Sequence, residues 1–266
     1  MLQYGLPVLF TLFIWWFSTG VILYLDGLPR RTFKWTMLAF TVVLGLALAG
    51  LSASSAVTTE SSAYCAFTCG VLVWAWQEVA FLLGYVTGPR RTPCPPGAIG
   101  WRRARFALQA VLHHELALVV LGAAVLVVTW GGVNQTGLWT YMILWTMRQS
   151  AKLNVFLGVR NLNEGFLPSH LKYLQSYFTR RPINALFPIS VTVSTLLAVA
   201  LWQAAAASGA DRFALTSLSL CACLLSLAVL EHWFLVLPLP FEALWNWGLC
   251  SRAPVPREAL GPKPLS

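Results

Sequence analysis

Seven apolar runs, at about 5–25, 36–56, 63–86, 105–129, 136–158, 185–206 and 213–236, follow one another along the 266 residues. A bilayer's hydrocarbon core is roughly 30 Å thick and takes about 20 residues of helix to cross. A backbone in that medium must satisfy all its N–H and C=O groups internally, so helices and closed barrels are the permitted solutions. The alternating strands of a barrel are absent here. An all-α, polytopic bundle of about seven transmembrane helices is therefore expected. Composition narrows the choice further: charged residues make up only 10% of the chain, against roughly 25% in soluble domains. Too few polar groups exist to coat a globular surface. The first run has no basic residue before Arg30, unlike a secretory signal, and is read as a retained span.

The basic residues give the topology. Fifteen of the eighteen lysines and arginines fall on alternate connections, after the first, third and fifth runs and in the tail, while the remaining connections hold only Arg212. Positive charge collects on the cytoplasmic side, which places the N-terminus in the periplasm and the C-terminus in the cytoplasm. The same asymmetry accounts for the net charge of +9 without nucleic acid, and membrane lipid is the expected partner. Residues 1–250 read as one transmembrane domain. Residues 251–266, rich in proline and small side chains, read as a short disordered cytoplasmic tail. Six cysteines show no disulfide or zinc spacing.

Against that background the ionisable residues inside the runs stand out. They are Glu78, His113, His114, Glu115, Arg148, Lys152, Glu231 and His232. A charge at the bilayer centre costs roughly 2.5–3.5 kcal/mol on insertion scales, so these groups are expected to meet one another, a ligand or water. At about 1.5 Å per residue, Glu78 and His114 lie roughly 15 Å from the cytoplasmic ends of their spans, with Lys152, Glu231 and His232 about 8–9 Å in. All are thus assigned to the cytoplasmic half.

Several uses compete. Interhelical ion pairs would set Glu78, Glu115 and Glu231 against Arg148, Lys152 and protonated histidine. A metal site would draw on Glu78, His114, Glu115, Glu231 and His232, in the manner of di-iron bundles. The adjacent His114–Glu115 and Glu231–His232 pairs, about 100° apart on a helix, depart from the Glu-x-x-His arrangement of those proteins. Axial ligation of a tetrapyrrole needs a single imidazole, from His113, His114 or His232. A polar transport path is a fourth use. His113 and Glu115 point about 200° apart, so the triplet cannot serve one centre. His170 is expected at the surface, with Tyr173 and Tyr177 at headgroup level. No catalytic motif of a soluble enzyme is present.

Long phrases of the chain resemble a known family. WWFSTG (15–20), DGLPRRTF (26–33), SSAYCAFTCG (61–70) and WAWQEVAFLLGYVTGPRR (74–91) carry the likeness in the first half. HHELAL (113–118), LWTMRQSAKLNVFLGVRNL (144–162), FLPSHLKYLQSYF (166–178) and LEHWFLVLPLP (230–240) carry it in the second. They are similar to the PuhE family, photosynthetic complex assembly proteins of purple phototrophic bacteria, from about residue 4 to 247. The resemblance implies a multi-pass protein of a bacterial inner membrane, cytoplasmic or intracytoplasmic, that serves as an assembly or regulatory factor for reaction-centre and light-harvesting complexes and is linked to bacteriochlorophyll supply. Its implied partners are the photosynthetic apoproteins or pigment-synthesis enzymes, and its implied ligand is bacteriochlorophyll or a tetrapyrrole precursor. It transfers no catalytic residue. An integral-membrane metalloenzyme acting on a pigment or lipid is the alternative.

Overall fold

The computed structural model describes residues 2–162 and 164–252. Seven long helices carry the chain: α1 Leu2–Asp26, α2 Arg30–Ser55, α3 Glu60–Leu82, α4 Gly100–Val128, α5 Thr136–Leu157, α6 Leu186–Ala207 and α7 Arg212–Phe234. A one-turn helix, α8 (Asn246–Leu249), and short 3-10 turns fill the connections. Six of the seven are long and apolar enough to cross a membrane. The exception is α5, 22 residues long, whose Arg148, Gln149 and Lys152 dilute its apolar content. The protein is the expected all-helical, multi-pass membrane bundle.

Local chemistry explains where the helices start and stop. Thr59 caps α3, its hydroxyl accepting from the Ser62 N–H while the Ser62 hydroxyl accepts from the Thr59 N–H, a reciprocal capping box. Asp211 caps α7 by accepting from the Ala214 N–H. The end of α3 departs from expectation: the helix stops at Leu82, short of residue 86. Gly84 adopts φ 83°, the left-handed conformation that closes a helix, and the Tyr85 N–H reaches back to the Ala80 carbonyl. Glu78 therefore lies four residues from the helix end, about 6 Å, but that end is itself inside the bundle, where Phe81 packs on His114 of α4.

The core is α3 surrounded by α2, α5 and α7. Close approach to α5 is made by small residues. A Cβ on Gly70 would sit 2.8 Å from the Gly137 carbonyl oxygen, and one on Gly137 would sit 2.8 Å from that of Ala66. Tyr141 of α5, fully buried, donates its hydroxyl to the Leu118 carbonyl of α4 at 2.7 Å. At one end of the bundle, Asn134 donates its side-chain amide to the carbonyls of Ser54 and Ser62.

The other end, where the basic connections lie, is built more heavily. Arg103 donates to the Tyr177 carbonyl and to Thr179 Oγ1 and stacks 4.4 Å above the Phe156 ring. Arg90 donates to the Tyr177 hydroxyl at 2.8 Å. These bases are structural ties within the loops, so the charge asymmetry read as topology also builds the bundle end. Tyr177, expected at headgroup level, is buried within the protein, its hydroxyl accepting from Arg90 and donating to the Thr92 carbonyl. His170, half-buried, bonds the Leu82 carbonyl through Nε2 at 2.9 Å.

After α7 the chain turns back as a strap over α1. Trp245 donates its indole N–H to the Trp16 carbonyl, and Gly248 packs against the backbone of Gly20, where any Cβ would collide with the Gly20 carbonyl. Ser251 and Arg252, the first two residues of the expected tail, are tied to α1: Ser251 donates to the Tyr24 carbonyl and Arg252 to Asp26. Residues 253–266, to which the tail's disorder was assigned, lie outside the described residues.

Candidate functional site

From the middle of the bundle toward its basic end, α1, α3, α4, α5 and α7 line a partly open cavity of about 780 Å³. The strap and the 164–178 segment close its end. Most of the wall is apolar, with Ile14, Phe67, Ala107 and Leu224 typical of it. Six of the eight ionisable residues singled out in the runs line it or form its wall: Glu78, Glu115, Arg148, Lys152, Glu231 and His232.

Two ion pairs brace this wall. Arg148 of α5 donates through Nη2 to Glu78 Oε2 of α3 at 3.0 Å. One turn along α5, Lys152 donates to Glu115 Oε1 of α4 at 2.7 Å, and Gln149 donates to the other oxygen of Glu115. The i,i+4 spacing of Arg148 and Lys152 puts both on one helix face, from which one pairs with α3 and the other with α4. Arg148 keeps 44% of its side chain exposed, on the cavity side, with one hydrogen bond made among the described residues.

The acid of α7 is held differently. Glu231 Oε1 accepts from the Trp15 indole N–H at 2.6 Å, and among the described residues Glu231 forms no ion pair. Three carboxylates and two permanent cations therefore line the cavity, and the excess acid is Glu231. Next to it, His232 is buried and fully engaged. Its Nδ1 lies 2.9 Å from the Ala228 carbonyl and its Nε2 2.9 Å from Ser150 Oγ. A carbonyl only accepts, so Nδ1 carries the proton and the Nε2 lone pair faces the serine hydroxyl.

His113 and His114 are not gathered into this site. His113 is exposed on the outer face of α4. His114 is fully buried against Phe81, with ring centroids 4.5 Å apart, and neither ring nitrogen has a hydrogen-bond partner among the described residues. The reason is an inserted segment. The Thr87 carbonyl accepts from the His114 backbone N–H, the Arg90 N–H reaches the Gln109 carbonyl, and Gly88 lies directly on the α4 backbone. An intruding backbone that captures helical donors opens the i→i−4 ladder locally. Only glycine fits there, because a Cβ would meet the Gln109 oxygen at 2.2 Å.

A di-iron arrangement is not assembled either. Among the described residues, no three of the His, Cys, Asp and Glu side chains are placed to hold a metal ion. The adjacency of His114–Glu115 and Glu231–His232 sends each partner to a different neighbour, as the 100° step requires. The sequence reading did not pick out Trp15, Gln149 and Ser150, which complete the polar wall. Gln149 and Ser150 were signalled by their place in the polar stretch RQSAKLN; Trp15, in an apolar run, carried no such signal.

Outside the spans, His170 has its pKa lowered from the usual imidazole range. Burial is the main cause; the nearby Arg30 and Arg91 charges add to it, and the bond to Leu82 opposes it.

Residues 1–255 match the model of the family DUF3623, described as a protein of unknown function. The chain is 41% identical over 252 residues to a Rhodobacter capsulatus protein named "Uncharacterized 30.4 kDa protein in puhA 5'region", an alignment spanning 92% of this chain and 91% of that one. No solved structure matches.

Proposed function

We propose that this chain, which belongs to the DUF3623 family, is an assembly or regulatory factor for photosynthetic reaction-centre and light-harvesting complexes. In this reading residues 1–250 form one inner-membrane domain with a periplasmic N-terminus. It handles bacteriochlorophyll or a tetrapyrrole precursor on behalf of the apoproteins or the pigment-synthesis enzymes. The observation that carries the reading is the cavity of about 780 Å³. Small-molecule and cofactor sites run from about 300 to 1,000 Å³, mostly apolar with a few placed polar groups. An apolar chamber within the helices, with polar side chains on one wall, suits a flat amphiphile drawn from the bilayer. The resemblance to PuhE and the puhA-region name of the Rhodobacter capsulatus relative support the photosynthetic setting.

The residues present fit such a ligand. Arg148, Lys152 and Gln149 offer donors to peripheral carbonyl or carboxylate groups, and the aromatic side chains near Trp15 offer flat faces. A bound pigment would supply light absorption and no chemistry to the chain, whose own part is to hold and orient the molecule and keep water out.

The test is purification from a phototrophic host in mild detergent, with absorbance read on the protein peak. Pigment is expected to co-migrate, and Ala107→Trp, which fills the cavity, is expected to expel it. Deletion of the gene is expected to lower assembled reaction-centre and light-harvesting complexes. Pigment-free protein together with normal complex levels in the deletion strain would refute the reading.

A further inference from the structure

The pigment reading leaves open which side chain would meet the centre of the ring, and the histidines are the obvious candidates. Geometry disposes of each in turn. His113 faces outward, and His114 is walled off behind Phe81. His232 does reach the cavity wall, but its two ring nitrogens are held by Ala228 and Ser150. No imidazole in the cavity has a free lone pair.

A carboxylate does. Arg148 answers Glu78 and Lys152 answers Glu115, whereas Glu231, near Arg148 but not in an ion pair with it, has the neutral indole of Trp15 as its one hydrogen-bond donor among the described residues. Oε1 is anchored by that N–H, and no hydrogen bond to Oε2 is made by the described residues. Metal-ligating carboxylates are held in this manner, with an outer hydrogen bond fixing one oxygen and orienting the other. Glu231 is exposed to the cavity, so its second oxygen is open to a ligand there and can be taken up by a Lewis-acid centre with a vacant coordination position. Magnesium, a hard cation, prefers oxygen donors of this kind.

The surroundings suit a ring. Trp15 and Trp245 lie edge-to-face with centroids 5.1 Å apart, Phe166 stands 5.9 Å from Trp245, and Phe234 stacks on Phe241 at 5.2 Å. All five rings border the cavity beside Glu231. Flat aromatic faces of that size favour offset stacking with another planar π-system.

We infer that Glu231, rather than any histidine, is the axial donor to the metal of a magnesium-bearing tetrapyrrole held in this cavity. The inference rests on the pigment-handling reading above and names the contact that reading leaves open. Trp15 is the positioning residue, acting through the Glu231 carboxylate.

The experiment uses the full chain, expressed in a host that makes no chlorophyll-type pigment and purified in detergent. It is titrated with a magnesium tetrapyrrole and with the same macrocycle after removal of the metal, and binding is followed by absorbance and circular dichroism. The wild type is expected to prefer the magnesium form by about tenfold or more, the scale on which ligand-shell changes act. Glu231→Gln keeps an acceptor for Trp15 and is expected to abolish the preference while leaving the metal-free form bound as before. Trp15→Phe is expected to weaken the magnesium form by about tenfold through loss of the orienting bond. A preference that survives Glu231→Gln, or that disappears in His232→Gln or His114→Gln instead, would overturn the inference. Equal binding of both forms by the wild type would also overturn it and leave the pigment reading standing. Binding of neither form would overturn both.

Discussion

The strap that closes the cavity hangs on one buried charge, and its removal has a calculable consequence. Arg252 donates to Asp26 Oδ1 through Nε and Nη2, at 3.2 and 3.0 Å, and to Oδ2 at 3.1 Å. It also reaches the carbonyls of Gly165 and Phe166. Asp26 is 1% exposed and Arg252 21%, so the two partners are not equivalent. Arg252→Met strands a carboxylate that water cannot reach, a loss of about 3–5 kcal/mol for a broken buried pair. Asp26→Asn leaves an arginine that touches solvent and keeps two carbonyl acceptors, so its cost is well below that. With both replaced, no buried charge is left, and much of the loss is recovered. The strap is a peripheral segment, so the cost appears first as its local opening. At about 1.4 kcal/mol per tenfold, Arg252→Met is expected to speed protease cleavage within 241–252 by about a hundredfold or more. Limited proteolysis of the detergent-solubilised protein, with peptide mapping, measures this. Cleavage of the double variant as fast as Arg252→Met, or no acceleration in Arg252→Met, would refute the assignment of the latch.

Three further outcomes follow from the same structure. Glu78→Gln breaks the pair with Arg148, but that arginine is 44% exposed to the cavity; the expected loss is about 1 kcal/mol or less in chemical unfolding, as for screened pairs, and a loss as large as that of Arg252→Met would show the cavity to be dry and sealed. Gly137→Ala forces a methyl to within 2.8 Å of the Ala66 carbonyl, where the helix backbones cannot yield cheaply, and is expected to cost about 1–3 kcal/mol; an unchanged thermal midpoint would contradict the α3–α5 contact. His170 has a lowered folded-state pKa, so the unfolded chain takes up its proton first. Its stabilising contribution is complete above the unfolded value of about 6.5 and is lost as pH falls below it toward the folded value. The thermal midpoint should therefore fall more steeply on acidification in wild type than in His170→Gln, and parallel curves would count against it.

How much of this was legible in the sequence depends on which medium each residue answers to. Spanning helices answer to the bilayer, and a run of apolar residues is a direct statement of length; hence α1 to α7 lie close to their expected bounds. The end of α3 was misplaced because hydropathy ignores backbone conformation: Leu83, Tyr85 and Val86 are apolar enough to continue the span, but Gly84 at φ 83° ends it. Membership of the cavity wall was legible for residues whose burial would be expensive, such as Arg148 and Lys152. It was not legible for the partners that satisfy them, because Trp15 and Ser150 are ordinary in a membrane helix. The fate of His114 was hidden for a further reason. It is set by a backbone intrusion at Gly88, 26 residues away in the chain, and no periodicity within α4 reports it.

The order of the helices bears on how such a wall is built. An arginine and a lysine on one helix would each cost roughly 2.5–3.5 kcal/mol at the bilayer centre, and α5, which carries both, is the least apolar of the seven. Their acids, Glu78 and Glu115, lie on α3 and α4 and precede them in the chain. When α5 enters the bundle, both counter-charges are already present, and the two pairs help hold it where hydropathy alone would not. Glu231 arrives two helices later, when the two cations already have ion-pair partners, and its one hydrogen bond among the described residues comes from an indole. A bundle selected for charge balance alone would have no reason to keep that third acid, since an apolar residue of similar volume would pack against Trp15 at lower cost. Retaining a carboxylate there makes sense if its open oxygen has something to meet in the cavity, and substituting it separates that role from the two pairs that brace α5.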